Sequence, residues 1–231
     1  MPRKTAVKIK PQTIENGFEL RSIKPLTDSQ ARAFELYEQG KQLMLTGMAG
    51  TGKSFLALYL ALRDIVDGKL TSVNIIRSTV PSRDMGFLPG TLEEKLAVYK
   101  DPYQQIVNEL FNRGDAWQIL SKKGYVSMTS TSYLRGVTYR NTALIIDEAQ
   151  NCTMQELDTV ITRVGPGCRI MLCGDIKQND LLSGKNPSGL PLLEKIVGSM
   201  PEFDCVTFGI EDIVRSGLVR SYLISKYRLG L

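Results

Sequence analysis

"MLTGMAGTGKSFLALYLAL" runs from Met44 to Leu62. An apolar run breaks into a glycine-rich turn, meets Lys53-Ser54, and becomes apolar again. Gly47-Met48-Ala49-Gly50-Thr51-Gly52-Lys53-Ser54 matches G-x-x-x-x-G-K-[ST] at every position. "KQLMLTG" before it reads as a short buried strand, and "KSFLALYLALRDIVDG" after it as a helix stopped by Gly68. That strand–loop–helix order is the context a phosphate-binding P-loop requires. Glycines let successive backbone N–H groups turn inward around a phosphate, and the helix N-terminus adds partial positive charge. Lys53 is expected to reach the β- and γ-phosphates, and the Ser54 hydroxyl to ligate Mg²⁺. The nucleotide-binding set expected here is Gly47, Met48, Ala49, Gly50, Thr51, Gly52, Lys53, Ser54 and Phe55.

A P-loop needs a further acid for its metal. "ALIIDEAQN" (Ala143 to Asn151) supplies one, because an apolar strand carries Asp147 to the carboxyl edge of a sheet, where open α/β folds bind ligands. Asp147 is expected to hold Mg²⁺ through its water shell, and Glu148 to polarise the attacking water. The Asp-Glu pair favours ATP hydrolysis over GTPase or small-molecule kinase chemistry, and the chain has no guanine-reading N-K-x-D.

Composition is ordinary for a soluble globular protein. The chain has 231 residues, 42% of them hydrophobic, enough for a sizeable core. No apolar run approaches the ~18 residues of a membrane span, and the basic N-terminus lacks the apolar stretch of a secretory signal. A cytoplasmic protein is expected. Histidine is absent, which excludes histidine general bases, Ser-His triads and His-ligated zinc within this chain. Cys152, Cys168, Cys173 and Cys205 form no CxxC pair and read as structural thiols. The net charge of +5 permits a polyanionic partner without demonstrating one.

Beyond the P-loop, "SVNIIRS", "YVSMTS", "TALIIDEAQ", "CRIMLCGD" and "DCVTFG" read as strands alternating with helical segments. Near-continuous apolar strands between helices predict a parallel sheet covered on both faces. The helical segments are "LTDSQARAFELYEQG", "LEEKLAVY", "DPYQQIVNELFNRG", "MQELDTVITRVG", "GLPLLEKIVGSM" and "EDIVRSGLVRSYLISKYRLG". The organisation expected is a basic arm over residues 1–24, flexible or forming an edge strand, and one α/β domain over 25–231.

Three pieces resemble motifs of superfamily 1 helicases. "CGDIKQND" offers Gln178, which the resemblance places near the γ-phosphate; "LTDSQ" offers Gln30 as an adenine reader; "NIIRST" offers Arg77, Ser78 and Thr79 as nucleic-acid backbone contacts. Taken together, "GMAGTGKS", "IIRSTVPSRDMGFLPGTLEEK", "YLRGVTYRNTALIIDEAQN", "CGDIKQND" and "EDIVRSGLV" resemble the PhoH family over roughly Leu26 to Arg220. The resemblance implies a RecA-like core of the superfamily 1 type, an ATPase with Mg²⁺ as cofactor, and a ring. Two departures stand out. Family members usually read "RGRT" where this chain has Arg135-Gly136-Val137-Thr138, and commonly carry histidine where it has Ser216.

One lobe also lacks the arginine that a two-lobed helicase delivers to the departing phosphate. "EDIVRSGLVRS" offers Arg215 and Arg220, and Arg215 is the expected catalytic arginine, supplied across a subunit interface of a homo-oligomer, a hexameric ring. The functional expectation is an ATPase acting on single-stranded RNA or DNA. The alternative is an ATP-dependent protein switch or assembly factor. Tyr133-Leu134-Arg135 and Tyr139-Arg140 are weak candidates for base stacking beside basic residues.

Overall fold

All six apolar runs become strands: β1 Gln42–Gly47, β2 Ser72–Arg77, β3 Val126–Ser130, β4 Thr142–Ile146, β5 Arg169–Gly174 and β6 Phe203–Phe208. They lie in one sheet in the order β3-β2-β4-β5-β1-β6, every pair parallel. The structure, a computed structural model, describes residues 14, 18–78, 92–134, 136, 138–176 and 187–229, the side chains of 92–98 and 133 excepted. Helices are α1 Asp28–Glu38, α2 Lys53–Val66, α3 Leu92–Leu110, α4 Ala116–Lys122, α5 Met154–Ile161, α6 Leu190–Val197 and α7 Gly217–Arg228, with short 3₁₀ turns at Thr131–Tyr133 and Ala149–Asn151.

Strand alternation sorts the core into two layers. Leu43 and Leu45 of β1, Val73 and Ile75 of β2, Ala143 and Ile145 of β4, and Met171 and Cys173 of β5 face α1 to α4. Met44, Ile76, Leu144, Ile146, Ile170 and Leu172 face α5 and α6. Every residue of β4 is buried, as expected of a central parallel strand. Each fully buried Leu or Ile contributes ~1.5–3 kcal/mol. Because α2 follows β1 on one face and α6 follows β5 on the other, the sheet's carboxyl edge opens into a crevice between these neighbouring strands, the usual ligand position in such folds.

Some elements differ from the sequence reading. "LEEKLAVY" and "DPYQQIVNEL" form one helix, α3, with Pro102 inside it. Pro102 removes one helical hydrogen bond, yet Tyr103, Val107 and Leu110 all bury in the same layer beyond it and hold the helix together. The C-terminal helix begins at Gly217 and not at Glu211. Asp212 is the reason: it is 1% exposed, and its Oδ2 accepts from Ser29 Oγ at 2.8 Å and from the Gly209 amide at 2.8 Å, which pins the segment as a turn. Helix α4 went unread because its seven residues hold too few turns to show a period. The described part of the N-terminal segment forms no strand. Phe18 packs edge-on against Phe111 at 5.6 Å, the Arg21 amide donates to the Leu110 carbonyl, and the Ile23 amide to Tyr59 Oη, so the segment lies along α2 and α3. The four cysteines are free, and no described helix is long and apolar enough to cross a membrane.

Gly47 closes β1 at φ +121°, and a Cβ there would meet the Phe208 carbonyl oxygen at 2.1 Å. Its need for glycine arises from the β6 backbone, to which Met48 also donates at 3.2 Å. Gly47→Ala is therefore expected to destabilise the fold by about 3 kcal/mol, from backbone clash and strain together. Urea denaturation checks this; a loss below about 0.5 kcal/mol, the scale of a neutral surface change, would contradict it.

Candidate functional site

The loop after β1 turns on Gly50 (φ +79°) and Gly52 (φ +83°), left-handed conformations that favour glycine. Gly52 is also the N-cap of α2, so the helix N-terminus opens onto the loop. Lys53 Nζ folds back into the loop and donates to the Gly47 and Met48 carbonyls, each at 2.7 Å. Burial pushes its pKa down, against the nearby acids Asp175, Glu148 and Asp147, which push it up. A cation held this way by two carbonyls suits a place that a phosphate would take over.

At the end of β4, Asp147 is buried and both of its oxygens are engaged. Oδ1 accepts from Ser54 Oγ at 2.8 Å, and Oδ2 from Tyr103 Oη at 2.6 Å. The Ser54 hydroxyl and the Asp147 carboxylate are hard oxygen donors already side by side, which fits Mg²⁺. Glu148 follows at φ +53°, a left-handed conformation uncommon for a residue with a side chain. Gln150 holds it: its Nε2 donates to Glu148 Oε2 at 2.6 Å, and its Oε1 accepts from the Asp175 amide at 3.0 Å. Burial raises the Glu148 pKa and the Asp147 charge raises it further; Arg77, Gln150 and Lys53 act in the opposite direction.

Arg77 leaves the end of β2 and turns into the cavity, over the ring of Tyr99 at 4.6 Å. Burial opposes its charge, but Tyr103, Asp147, Glu148 and Tyr99 more than offset that and raise its pKa. Buried Asp147 and half-buried Glu148 favour a cation turned inward there. Ser78, the other described member of that set, donates to Glu156 Oε1 at 3.0 Å, as does Thr131 Oγ1.

Gln30 is brought to the loop, though its amide is already engaged. Oε1 accepts from the Leu26 amide at 2.8 Å and Nε2 donates to the Thr51 carbonyl at 3.1 Å. This side chain braces the P-loop against α1, which leaves one N–H and one oxygen lone pair for a base. Phe55 packs against the core and lines the cavity. Gln178, Thr79, Arg135 and Val137 lie outside the described residues.

Arg215 reaches its own P-loop. The Val214 amide donates to the Gly50 carbonyl at 3.1 Å, and a Cβ on Gly50 would lie 3.1 Å from Arg215 Cγ. It lines the same cavity of about 700 Å³ as Lys53, Ser54, Asp147, Glu148, Asp175 and Arg77. The turn at Asp212 carries the arginine back across its own loop, where its side chain is exposed. Sequence reasoning also missed Tyr103 and Gln150. A tyrosine on a helix and a glutamine after an acidic pair carry no local signal of what they touch.

The PhoH-like protein family matches residues 22–227. The chain belongs to the PhoH-like family. A PhoH-like protein of Mycobacterium leprae is 31% identical over 90% of this chain, and protein PhoH of Escherichia coli 30% over 85%. Protein PhoH2 of Bacillus subtilis is 39% identical over 68% of this chain, covering 37% of its own length. The chain spans 59% of the Mycobacterium leprae relative and 56% of the Escherichia coli one. Among solved structures, the Sulfolobus solfataricus SWI2/SNF2 ATPase core in complex with dsDNA aligns at a TM-score of 0.48 and 16% identity, over 85% of this chain and 47% of that one.

Placement of Arg215 in its own chain's cavity has a measurable consequence. Arg215→Ala is expected to lower ATP turnover about 10²-fold, the scale of losing one donor to developing charge. Mixing it with Lys53→Ala protein is expected to restore nothing, because no P-loop gains an arginine from a neighbour. Recovery of activity in subunits shown to exchange would place Arg215 at the adjacent subunit's site.

Proposed function

We propose that this PhoH-like protein is a Mg²⁺-dependent ATPase acting on single-stranded RNA or DNA. The observation that carries the ATPase reading is the convergence of Lys53, Ser54, Asp147 and Glu148 on one cavity at the carboxyl edge of the sheet. In this reading Lys53 leaves the Gly47 and Met48 carbonyls for the β- and γ-phosphates. Ser54 and Asp147 hold the metal, which when bound neutralises charge on the phosphate oxygens. Glu148, oriented by Gln150, polarises the attacking water. Arg77 and Arg215 bring the cationic charge that the transferred phosphoryl group needs.

Support for nucleic acid is the helicase-like motif order, the net charge of +5 and the pI near 9.0. Contact would fall mostly on phosphates, so binding is expected to be insensitive to sequence and to weaken with salt. One observation favours the alternative, an ATP-dependent protein switch. At the sheet's carboxyl edge the Ser78 and Thr131 hydroxyls both donate to the Glu156 carboxylate, which puts negative charge where a nucleic-acid backbone would approach. A homo-oligomeric ring remains an expectation of the family resemblance, and light scattering with MgATP checks it.

Hydrolysis of ATP, with and without single-stranded RNA or DNA, tests the reading. Lys53→Ala is expected to abolish it. Glu148→Gln is expected to keep ATP bound while turnover falls about 10²-fold or more, as for loss of a general base. Wild-type turnover by Lys53→Ala protein would overturn the ATPase assignment. No anisotropy change with labelled single strands at low salt, with or without a non-hydrolysable ATP analogue, would favour the protein switch.

A further inference from the structure

Tyr103 belongs to none of the motifs, yet it makes the shortest of the hydrogen bonds to Asp147. Its hydroxyl donates to Asp147 Oδ2 at 2.6 Å, and its side chain is 2% exposed. Tyr99 lies one helical turn before it on the same side of α3, and Arg77 of β2 rests over that ring at 4.6 Å. So α3 reaches the metal site by two routes, a hydroxyl on one acid and a ring beneath the cation that faces both acids.

We infer that Tyr103 is a positioning residue for Mg²⁺: it fixes the Asp147 carboxylate so that the acid and Ser54 present a ready-made pair of oxygens to the metal. The inference rests on the proposed MgATP site. A carboxylate with one oxygen tied to Ser54 of α2 and the other to Tyr103 of α3 has no freedom to rotate. Without the tyrosine hydroxyl, Oδ2 is held by nothing else recorded among the described residues. The carboxylate then turns about its Cβ–Cγ bond, and the metal must restrain it on binding. Partners of metal ligands commonly shift metal affinity in this way, by about 10–100-fold. A buried tyrosine needs an acceptor in any case, so the test must read the metal and not stability alone.

Tyr103→Phe keeps the ring and removes the hydroxyl. Binding of a fluorescent ATP analogue is measured in EDTA and across a Mg²⁺ titration, alongside hydrolysis. In EDTA the variant is expected to bind the analogue as the wild type does. The Mg²⁺ midpoint of the binding enhancement is expected to rise about tenfold. Hydrolysis is expected to show the same raised midpoint, with turnover largely recovered at saturating Mg²⁺. Mn²⁺ affinity of the nucleotide complex, followed by electron paramagnetic resonance, is expected to fall in parallel. An unchanged or lowered midpoint overturns the inference, as does a loss of turnover that no Mg²⁺ concentration recovers. If the Phe variant folds poorly, Tyr103→Met also lacks the hydroxyl and carries the same titration. Failure of the wild type itself to bind the analogue with Mg²⁺ would instead overturn the ATPase reading.

Discussion

Asp147 is held at both oxygens by hydroxyls from two different helices, and the geometry of the site depends on that hold. Ser54 comes from the first turn of α2 and Tyr103 from the middle of α3, while β4 sets the height of the acid above the sheet. The strand can do so because it is buried along its whole length between β2 and β5. Its final register is fixed by the Asp147 amide, which donates to the Ile76 carbonyl at 3.0 Å. The same region brings Arg77, the next residue of β2, beside the acid. Packing, register and charge balance therefore meet at one carboxylate.

Charge is what makes this arrangement demanding. Asp147, Glu148 and Asp175 lie around one cavity, and a buried carboxylate beside a half-buried one is costly without cations. Lys53 and Arg77 supply that charge from within the chain, and the exposed Arg215 lines the same cavity from the C-terminal turn. Each is brought by a different element: the P-loop, the end of β2, and the segment pinned by Asp212. The Gln150 amide links Glu148 to the backbone of Asp175 and holds a residue whose backbone already lies in an uncommon conformation. Stored strain of that kind persists only where the surroundings over-determine it.

The parallel sheet was legible because burial on both faces leaves apolar runs, and all six were read as strands. The P-loop was legible because its chemistry needs glycines at fixed spacing. Contacts made far along the chain were not. Arg77 reads as a backbone contact at a strand end, and only the fold shows Glu148 and Tyr99 around it. Arg215 reads as a catalytic arginine supplied across an interface, and only the turn at Asp212 shows it beside its own Gly50. Gln30 was read as a base contact, and its side chain spans Leu26 and Thr51. Gly47 was read as a phosphate-loop glycine, yet the Phe208 carbonyl requires it. In each case the sequence shows the residue type, while the partner is set by tertiary packing.

We propose that the MgATP site is built by one chain. A crystal structure with Mg²⁺ and a non-hydrolysable ATP analogue tests it most directly. The phosphates are expected within the Gly47–Ser54 loop, and Lys53 Nζ moved from the Gly47 and Met48 carbonyls onto phosphate oxygens. A metal ligated by Ser54 Oγ at about 2.1 Å is expected too, with Asp147 beside it and Arg77 and Arg215 of the same chain facing the phosphates. Nucleotide bound elsewhere, Lys53 still on the two carbonyls, or a phosphate met by another subunit's arginine while this chain's Arg215 points away, would contradict it.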